Sequence, residues 1–381
     1  MSRRRVAIVG ASLSDCGKVE DKTFLQLMAQ AARRAITDAG LTKDDVTGLG
    51  ALEGLTPPVD LAEYLGISPT WVNSTAVGGS TWEVMAQHAV DAIASGKTEV
   101  VVLTYASTVR SDLKAGRGVV QATRALPDLA VYEQAYRPTL IGRYAMAAKR
   151  HMHEYGTTAE QLAEIAVAMR ANAATNPLAQ YRTPLTVEDV QAAQMVADPF
   201  TTLHCCIRSD GGGAVVLASE AVARQCRKTP VWILGAGHAV SHVSMSQWPD
   251  FTRSACAKSG AIAFGEAGIK PAEIDVAQIY DSFTYTVLAT LEGLGFCAPG
   301  EGGAFVANGA LKIDGRLPTN TDGGGLSACH TGQRGIFLLV EAVRQLRNEA
   351  GAGQVAEAKL CCVNGTGGFM SSTGTMILGA D

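Results

Sequence analysis

The sequence predicts an α/β fold built twice, as two βαβ-type halves whose mostly parallel sheets carry helices on both faces. Three observations lead to it. The stretch Ala35-Ile-Thr-Asp-Ala-Gly-Leu-Thr-Lys-Asp-Asp-Val46 matches Ala263-Phe-Gly-Glu-Ala-Gly-Ile-Lys-Pro-Ala-Glu-Ile274, and internal repeats of this kind reveal architecture. A second match follows in the same order: the segment from Gly79 through His88-Ala-Val-Asp-Ala-Ile93 resembles the segment from Gly332 through Glu341-Ala-Val-Arg-Gln-Leu346. Finally, 381 residues with alternating helical and apolar segments exceed what one core holds.

Taken in order, Arg3, Arg4 and Arg5 form a solvated start before a first strand. An amphipathic helix then ends at Gly40, as its counterpart ends at Gly268, because a C-terminal glycine accepts the left-handed conformation. Each passes through an acidic turn into a strand, at 47–53 and 276–280. In both halves a Gly/Ser-rich turn opens a long helix that feeds an apolar strand, at 99–105 and 358–363. Strand 99–105 suits either a buried interface or the middle of a sheet. The halves are 1–225 and 226–381. The first is interrupted at about 111–199 by a polar, helical insertion punctuated by Pro127, Pro138, Pro177, Pro184 and Pro199, with helices around 137–154 and 158–173. The insertion reads as a lid over the site or as a surface excursion.

Composition narrows the function. Hydrophobic residues make up 47% and charged residues 18%, a globular balance. A net charge of -4 without a basic block argues against nucleic acid. The start lacks a signal-peptide apolar region, and stretches such as Val231 to Val240 fall short of a membrane span of about 20 residues, so a soluble cytoplasmic protein is expected. Nine cysteines, with two adjacent pairs and no CxxC, suggest neither a disulfide framework nor a metal site.

In a duplicated α/β protein, equivalent helix N-termini can meet near the pseudo-twofold axis, where free N–H groups and positive dipole ends suit a developing oxyanion. The candidate turns are Asn73-Ser-Thr-Ala-Val-Gly-Gly-Ser80 and Asp322-Gly-Gly-Gly-Leu-Ser-Ala-Cys-His-Thr-Gly332. In the repeat alignment His330 falls opposite Val77, within two residues of Thr75. An imidazole there suits a general base or an oxyanion donor. Tyr280-Asp-Ser-Phe-Thr284 ends a strand and starts a helix. Tyr280 reads as a hydroxyl donor or a packing residue, and Asp281 as a site carboxylate or the N-cap of that helix. Asn364-Gly-Thr-Gly-Gly368 is a glycine-rich turn that another backbone must approach closely.

These elements in this order resemble the thiolase superfamily, and within it the sterol carrier protein x-type thiolases, over nearly the whole chain. His204-Cys-Cys-Ile-Arg-Ser-Asp-Gly-Gly-Gly-Ala214 is similar to the family's strand-entry signature, and Leu317-Pro-Thr-Asn-Thr-Asp-Gly-Gly-Gly-Leu-Ser327 to its NxxGG loop. The resemblance implies the thiolase fold, with layered αβαβα halves. It places His330 on the catalytic histidine, and Tyr280-Asp281 on the motif that holds the catalytic water or thioester oxygen. Asn364 to Gly368 falls on the loop with the family's second Cys or His.

The departures redirect the chemistry. The family's nucleophilic Cys falls at Thr75, three residues before Gly78, and no Cys lies between Cys16 and Cys205. A threonine hydroxyl without a dedicated base is a poor acyl acceptor. Asn364 stands where a proton-transferring Cys or His belongs. Cys329 and Cys362 are the nearby thiols. Thr75 to Ser80, Tyr280 to Phe283 and Glu292-Gly-Leu-Gly-Phe296 resemble the thiolase-like aldolases of steroid side-chain degradation. In that subgroup a tyrosine can occupy the position of His330. The resemblance implies retro-aldol cleavage of a β-hydroxyacyl-CoA to a ketone and a shorter acyl-CoA such as propionyl-CoA or acetyl-CoA. Tyr280 and His330 would move protons, and N–H groups near Gly78, Gly79, Gly367 and Gly368 would act as donors. It further implies coenzyme A as part of the substrate, no covalent cofactor, a homodimer, and a small OB-fold/zinc-ribbon partner protein. The alternatives are an acyltransferase with an atypical nucleophile and a non-catalytic acyl-CoA-binding subunit.

Overall fold

A computed structural model describes residues 5–52, 54–117, 132–133, 135–136 and 139–380. Its strands are β1 (Val6–Leu13), β2 (Gly48–Ala51), β3 (Trp71–Asn73), β4 (Val100–Ser107), β5 (Met195–Ala197), β6 (Phe200–Thr201), β7 (Gly211–Ser219), β8 (Val231–Val240), β9 (Val276–Ile279), β10 (Leu360–Gly367) and β11 (Ser372–Ala380). The helices of ten or more residues are α1 (Phe24–Ala39), α2 (Thr81–Ala94), α3 (Leu140–Tyr155), α4 (Ala159–Ala174), α5 (Cys256–Ala267), α6 (Thr284–Gly293) and α7 (Gly335–Leu346). Local chemistry sets their ends. Thr23 and Gln26 form a capping box at the start of α1, and Gly40 closes it at φ 78°. Gly268 closes α5 in the same way at φ 67°.

Nine strands form one sheet in the order β3-β2-β4-β7-β1-β8-β11-β10-β9. Apart from edge strand β3, the order is a palindrome: β2, β4, β7 and β1 answer β9, β10, β11 and β8. The duplication is therefore structural. Strand direction departs from the expectation of mostly parallel sheets. Only β2–β3, β2–β4 and β9–β10 run parallel, and the other pairings of this sheet are antiparallel. The reason is connectivity. A parallel pair needs a crossover helix, whereas β10 returns as β11 through residues 368–371 alone. Strand β4 lies between β2 and β7, in the sheet interior.

The helices at the second repeat fill the middle. Trp82, Met85, Ala89 and Ile93 of α2 and Ile336, Leu339 and Val343 of α7 share one core with Val101, Leu103 and Leu217 from the first half and Val363, Met376 and Leu378 from the second. Outside it, α1 covers the first half through Leu27, Met28 and Ala35. On the other flank α5, α6 and inserted helices α3 and α4 cover the second half. Each helix buries an apolar face because burying a Leu- or Ile-sized side chain contributes roughly 1.5–3 kcal/mol.

The insertion leaves β4 and returns at β7. Its helices run Leu140–Tyr155 and Ala159–Ala174; residues 118–131, 134, 137 and 138 lie outside the described residues. Helix α4 grips the segment leading to His330. Asn172 Nδ2 donates to the carbonyls of Leu311 (3.1 Å) and Thr319 (2.9 Å), and Arg170 Nε donates to Ser327 Oγ (2.9 Å). Among the described residues no helix is long and apolar enough to cross a membrane.

Candidate active site

The repeated helices bring their starts together. A Cβ on Gly335, first residue of α7, would stand 2.6 Å from Gly79 O in the turn before α2. Tyr280 emerges here from the end of β9, and its N–H donates to Asn364 O at 2.9 Å. Gly79 must be glycine, because a Cβ there would lie 2.4 Å from Tyr280 Cε2 and 2.3 Å from Thr366 O. The neighbouring turn is as close: a Cβ on Gly78 would be 2.9 Å from Gly367 Cα and 3.0 Å from Gly368 N. Tyr280, Gly78, Gly79, Gly367 and Gly368 thus converge.

His330 reaches the same point. Its Nε2 lies 3.2 Å from the Tyr280 hydroxyl, with the rings edge to face. Its backbone is clamped by Ser209, which accepts the His330 N–H on Oγ (2.8 Å) and donates its own N–H to His330 O (3.0 Å). Burial, then the nearby Arg334 guanidinium, hold the imidazole down at about 3, so it is neutral at physiological pH. The Gly332 N–H points to Nδ1 (3.4 Å). That leaves the ring proton on Nε2, donating to Tyr280 and freeing the phenolic proton for a ligand. Burial holds the Tyr280 phenol well above its ordinary range, so it starts as an acid.

Asp281 is not the N-cap of α6. Its oxygens accept the N–H groups of Gly325 (2.7 Å) and Leu326 (3.1 Å), and Arg334 Nε stands 3.4 Å away. The α6 cap position is Phe283, without a side-chain bond. Asp281 therefore braces the loop that carries His330. Burial raises its carboxyl to about 6 against the pull of Arg334. Gly324, at φ 69°, permits this contact, since a Cβ there would meet Asp281 Oδ2 at 2.0 Å.

Two expected residues are not brought into the pair. The Asn364 side chain leaves β10 on the opposite face, where Nδ2 donates to Thr375 Oγ1 (2.8 Å). Strand alternation explains it: Val363 belongs to the central core that Tyr280 joins, while Cys362 faces the outer one. The Asn364 carbonyl alone touches the site, through Tyr280 N–H. Thr75 is half-buried before Gly78; its N–H donates to Asn73 Oδ1 (2.8 Å), and its hydroxyl makes no hydrogen bond among the described residues. The thiols fare no better as nucleophiles. A hydrogen bond with Cys16, together with burial, drives Cys329 well above its ordinary range, and burial does the same for Cys362.

Three contributors escape sequence reasoning. Arg334, fully buried, spans Asp322 with Nη2 to both oxygens (2.6 and 2.7 Å) and donates from Nη1 to Cys329 O (2.7 Å). Its position four residues after His330 is the signal that was available. Tyr144, from the insertion, donates to Gly368 O (2.9 Å) and packs on Phe283 at 4.5 Å. Cys206, in the strand-entry run, donates its N–H to Ser282 O (2.9 Å) beside Asp281, and burial, then the Asp281 charge, raise its thiol to about 12.

Comparison with known proteins places the whole chain among known relatives. Residues 237–380 match the family described as thiolase C-terminal domain-like. The chain is 36% identical to a steroid side-chain-cleaving aldolase of Thermomonospora curvata, covering 98% of each chain. It is 32% identical to an acetyl-CoA acetyltransferase of Methanothermobacter thermautotrophicus, covering 96% of this chain and 97% of that one. The solved Ltp2-ChsH2(DUF35) aldolase superposes with a TM-score of 0.90 at 34% identity, over 99% of this chain and 98% of that one.

Proposed function

Because the chain belongs to the thiolase superfamily, in its sterol carrier protein 2 thiolase-like branch, we propose that it is a retro-aldol lyase. It cleaves a β-hydroxyacyl-CoA with a bulky, steroid-like side chain to a ketone and a shorter acyl-CoA such as propionyl-CoA or acetyl-CoA. The observation that carries the reading is the Tyr280 hydroxyl 3.2 Å from a neutral, buried His330, with Thr75 where the related nucleophile would stand.

In this reaction the β-hydroxyl loses its proton as the Cα–Cβ bond breaks. The electron pair moves to the α-carbon as a thioester enolate, which then takes up a proton. In our reading the Tyr280 oxygen, held by His330 Nε2–H, takes the β-hydroxyl proton as its own phenolic proton passes to the α-carbon, so the Tyr280–His330 pair starts and ends neutral. The N–H groups around Gly78, Gly79, Gly367 and Gly368 and the helix starts near them would stabilise the enolate oxygen. Coenzyme A enters only as the thioester. The working assembly is a homodimer joined by a small OB-fold/zinc-ribbon protein; the two-component name of the related aldolase structure supports this partner.

The test supplies purified protein and such a partner with a branched β-hydroxyacyl-CoA, and follows ketone and acyl-CoA by mass spectrometry. Cleavage is expected without any acyl adduct on the protein, and Tyr280→Phe should lower kcat by roughly 10²–10⁴ with little change in KM. An unaltered Tyr280→Phe enzyme defeats the mechanism. The acetyltransferase relative favours a second reading, acyl transfer through an atypical nucleophile such as Thr75. An acylated Thr75 peptide would establish it in place of the first.

A further inference from the structure

We propose that Tyr144 and Arg143, neighbours near the start of inserted helix α3, are positioning residues. They clamp the turn between β10 and β11 and so aim the Gly367 and Gly368 N–H groups at the substrate thioester oxygen. This role rests on the enolate chemistry proposed above and gives the insertion a task in it. The turn needs an outside hold. Gly368 and Met370 both take left-handed backbone, at φ 62° and 61°. Glycine enters that region freely but leaves it as freely, and methionine rarely adopts it, so such a turn keeps one shape only where its surroundings fix it. On the β11 side, the Ser371 N–H closes the turn on Gly367 O (3.1 Å), and the Ser241 N–H ties Ser371 O (2.8 Å). The Gly368 side is held from the insertion. The Tyr144 hydroxyl donates to Gly368 O at 2.9 Å, and the Arg143 guanidinium lies over the Phe369 ring, 4.2 Å from its centre.

Both clamp residues are themselves anchored. Tyr144 is buried, and its ring packs on Phe283 at 4.5 Å, which in turn stacks on Phe200 at 5.4 Å. Phe283 closes the run Tyr280-Asp-Ser-Phe283, so the same aromatic cluster borders the catalytic tyrosine's segment. Arg143 Nη2 pairs with Glu133 (3.3 Å), whose Oε1 accepts the Ser246 N–H (2.7 Å).

The carbonyl that Tyr144 holds follows directly on the peptide that faces the first half. A Cβ on Gly367 would stand 2.1 Å from Val77 O, and one on Gly78 would stand 3.0 Å from Gly368 N. Packing this close leaves the Gly367–Gly368 peptide little tolerance for a shift. Losing the Tyr144 hydroxyl frees Gly368 to rotate and displaces the donor N–H groups. A displacement of that kind lowers the rate more than the affinity, because the donors act on charge that develops in the reaction.

The test has two readouts on the full chain with its partner: cleavage of a branched β-hydroxyacyl-CoA, and the infrared carbonyl band of bound propionyl-CoA carrying heavy carbon at the thioester carbonyl. Donors aimed at that oxygen lower the band below its solution position whether or not the protein is a lyase. Tyr144→Phe keeps the ring on Phe283 and removes one hydroxyl. It should return the band toward its solution position and lower kcat about three- to tenfold, the scale of one neutral hydrogen bond, with KM and the thermal midpoint nearly unchanged. Arg143→Met, which keeps the stem and removes the guanidinium, should shift the band in the same direction. The control is His151→Gln, further along α3, where Nε2 lies 3.0 and 3.1 Å from the Glu292 carboxyl oxygens. It should lower the thermal midpoint and leave the band in place. A band that is unshifted in the wild type, or unmoved by Tyr144→Phe, overturns the clamp, as does an equal shift in His151→Gln. A band that depends on Tyr144 in a protein that cleaves nothing keeps the clamp and refutes the lyase.

Discussion

Glu83 lies in the central layer beside the site, fully buried, and neither of its carboxyl oxygens has a hydrogen-bond partner among the described residues. Glycines make its space: a Cβ on Gly365 would meet Oε2 at 2.0 Å, and one on Gly335 would meet it at 2.7 Å. Burial raises this carboxyl to about 8 from an ordinary 4.5. The folded state therefore binds the Glu83 proton more tightly than the unfolded chain. The sign follows from linkage: stability from this group is complete below about 4.5 and declines as pH rises toward about 8. Glu83→Gln keeps the shape and removes the titration. Chemical denaturation across pH 4–9 should show a flatter profile for the variant, with a gain at pH 8 of at most a few kcal/mol. Parallel curves would refute a neutral Glu83. Residues of this kind are hard to read from sequence. His330 announces itself through its glycine-rich turn, and Tyr280 and Asp281 through their place between a strand and a helix, but Glu83 and Arg334 sit in helix-start positions that otherwise read as solvated charges. Asn364 misled because a turn-like sequence proved to be the end of strand β10, whose alternation turns the side chain outward.

Elements differ in what their glycines do, and the two kinds can be separated. Gly268 ends α5 with φ 67° and open space around a would-be Cβ. Gly268→Ala should cost about 1 kcal/mol of stability through backbone strain and leave turnover unchanged. Gly79 sits between the start of α2, the Tyr280 ring and Thr366 O, with no room for a methyl group. Gly79→Ala should force the ring or strand β10 to move, with a turnover loss of about 10²-fold or more and a stability cost of 1–3 kcal/mol, about what overpacking costs. Thermal melts and steady-state rates of the two variants decide it; equal loss of turnover would deny Gly79 its place in the site. The repeats made α1, α2, α5, α7 and the strands they feed legible from helix caps and apolar runs. Strand direction was not legible in the same way. Helix-strand alternation is blind to β7 and β11, which pair by antiparallel return, and to β3, a three-residue edge strand without an apolar run.

At the scale of the whole molecule, the duplication made two halves readable but left their dependence on each other hidden. Helices α2 and α7 belong to different halves, yet they share one core with strands of both, and sheet contact between β1 and β8 joins the halves directly. Salt-bridged Arg347 adds a further tie, from the end of α7 to Asp38 at the end of α1 (2.9 Å) and to Val9 O in β1 (2.8 Å). Inserted helix α4 packs against the second half and holds the loop that carries His330. Removing either half would expose the apolar faces of α2 or α7, at roughly 25 cal/mol for each Å² returned to water. The halves should therefore not melt independently, despite their separate sequence repeats. Calorimetry of the intact chain is expected to give one endotherm, with calorimetric and van't Hoff enthalpies in agreement. The Tyr280–His330 contact, built from the second half but walled by Gly78 and Gly79 of the first, should disappear within that same transition. Two resolved endotherms, or loss of activity well before the main one, would mean that the shared central layer does not couple the halves.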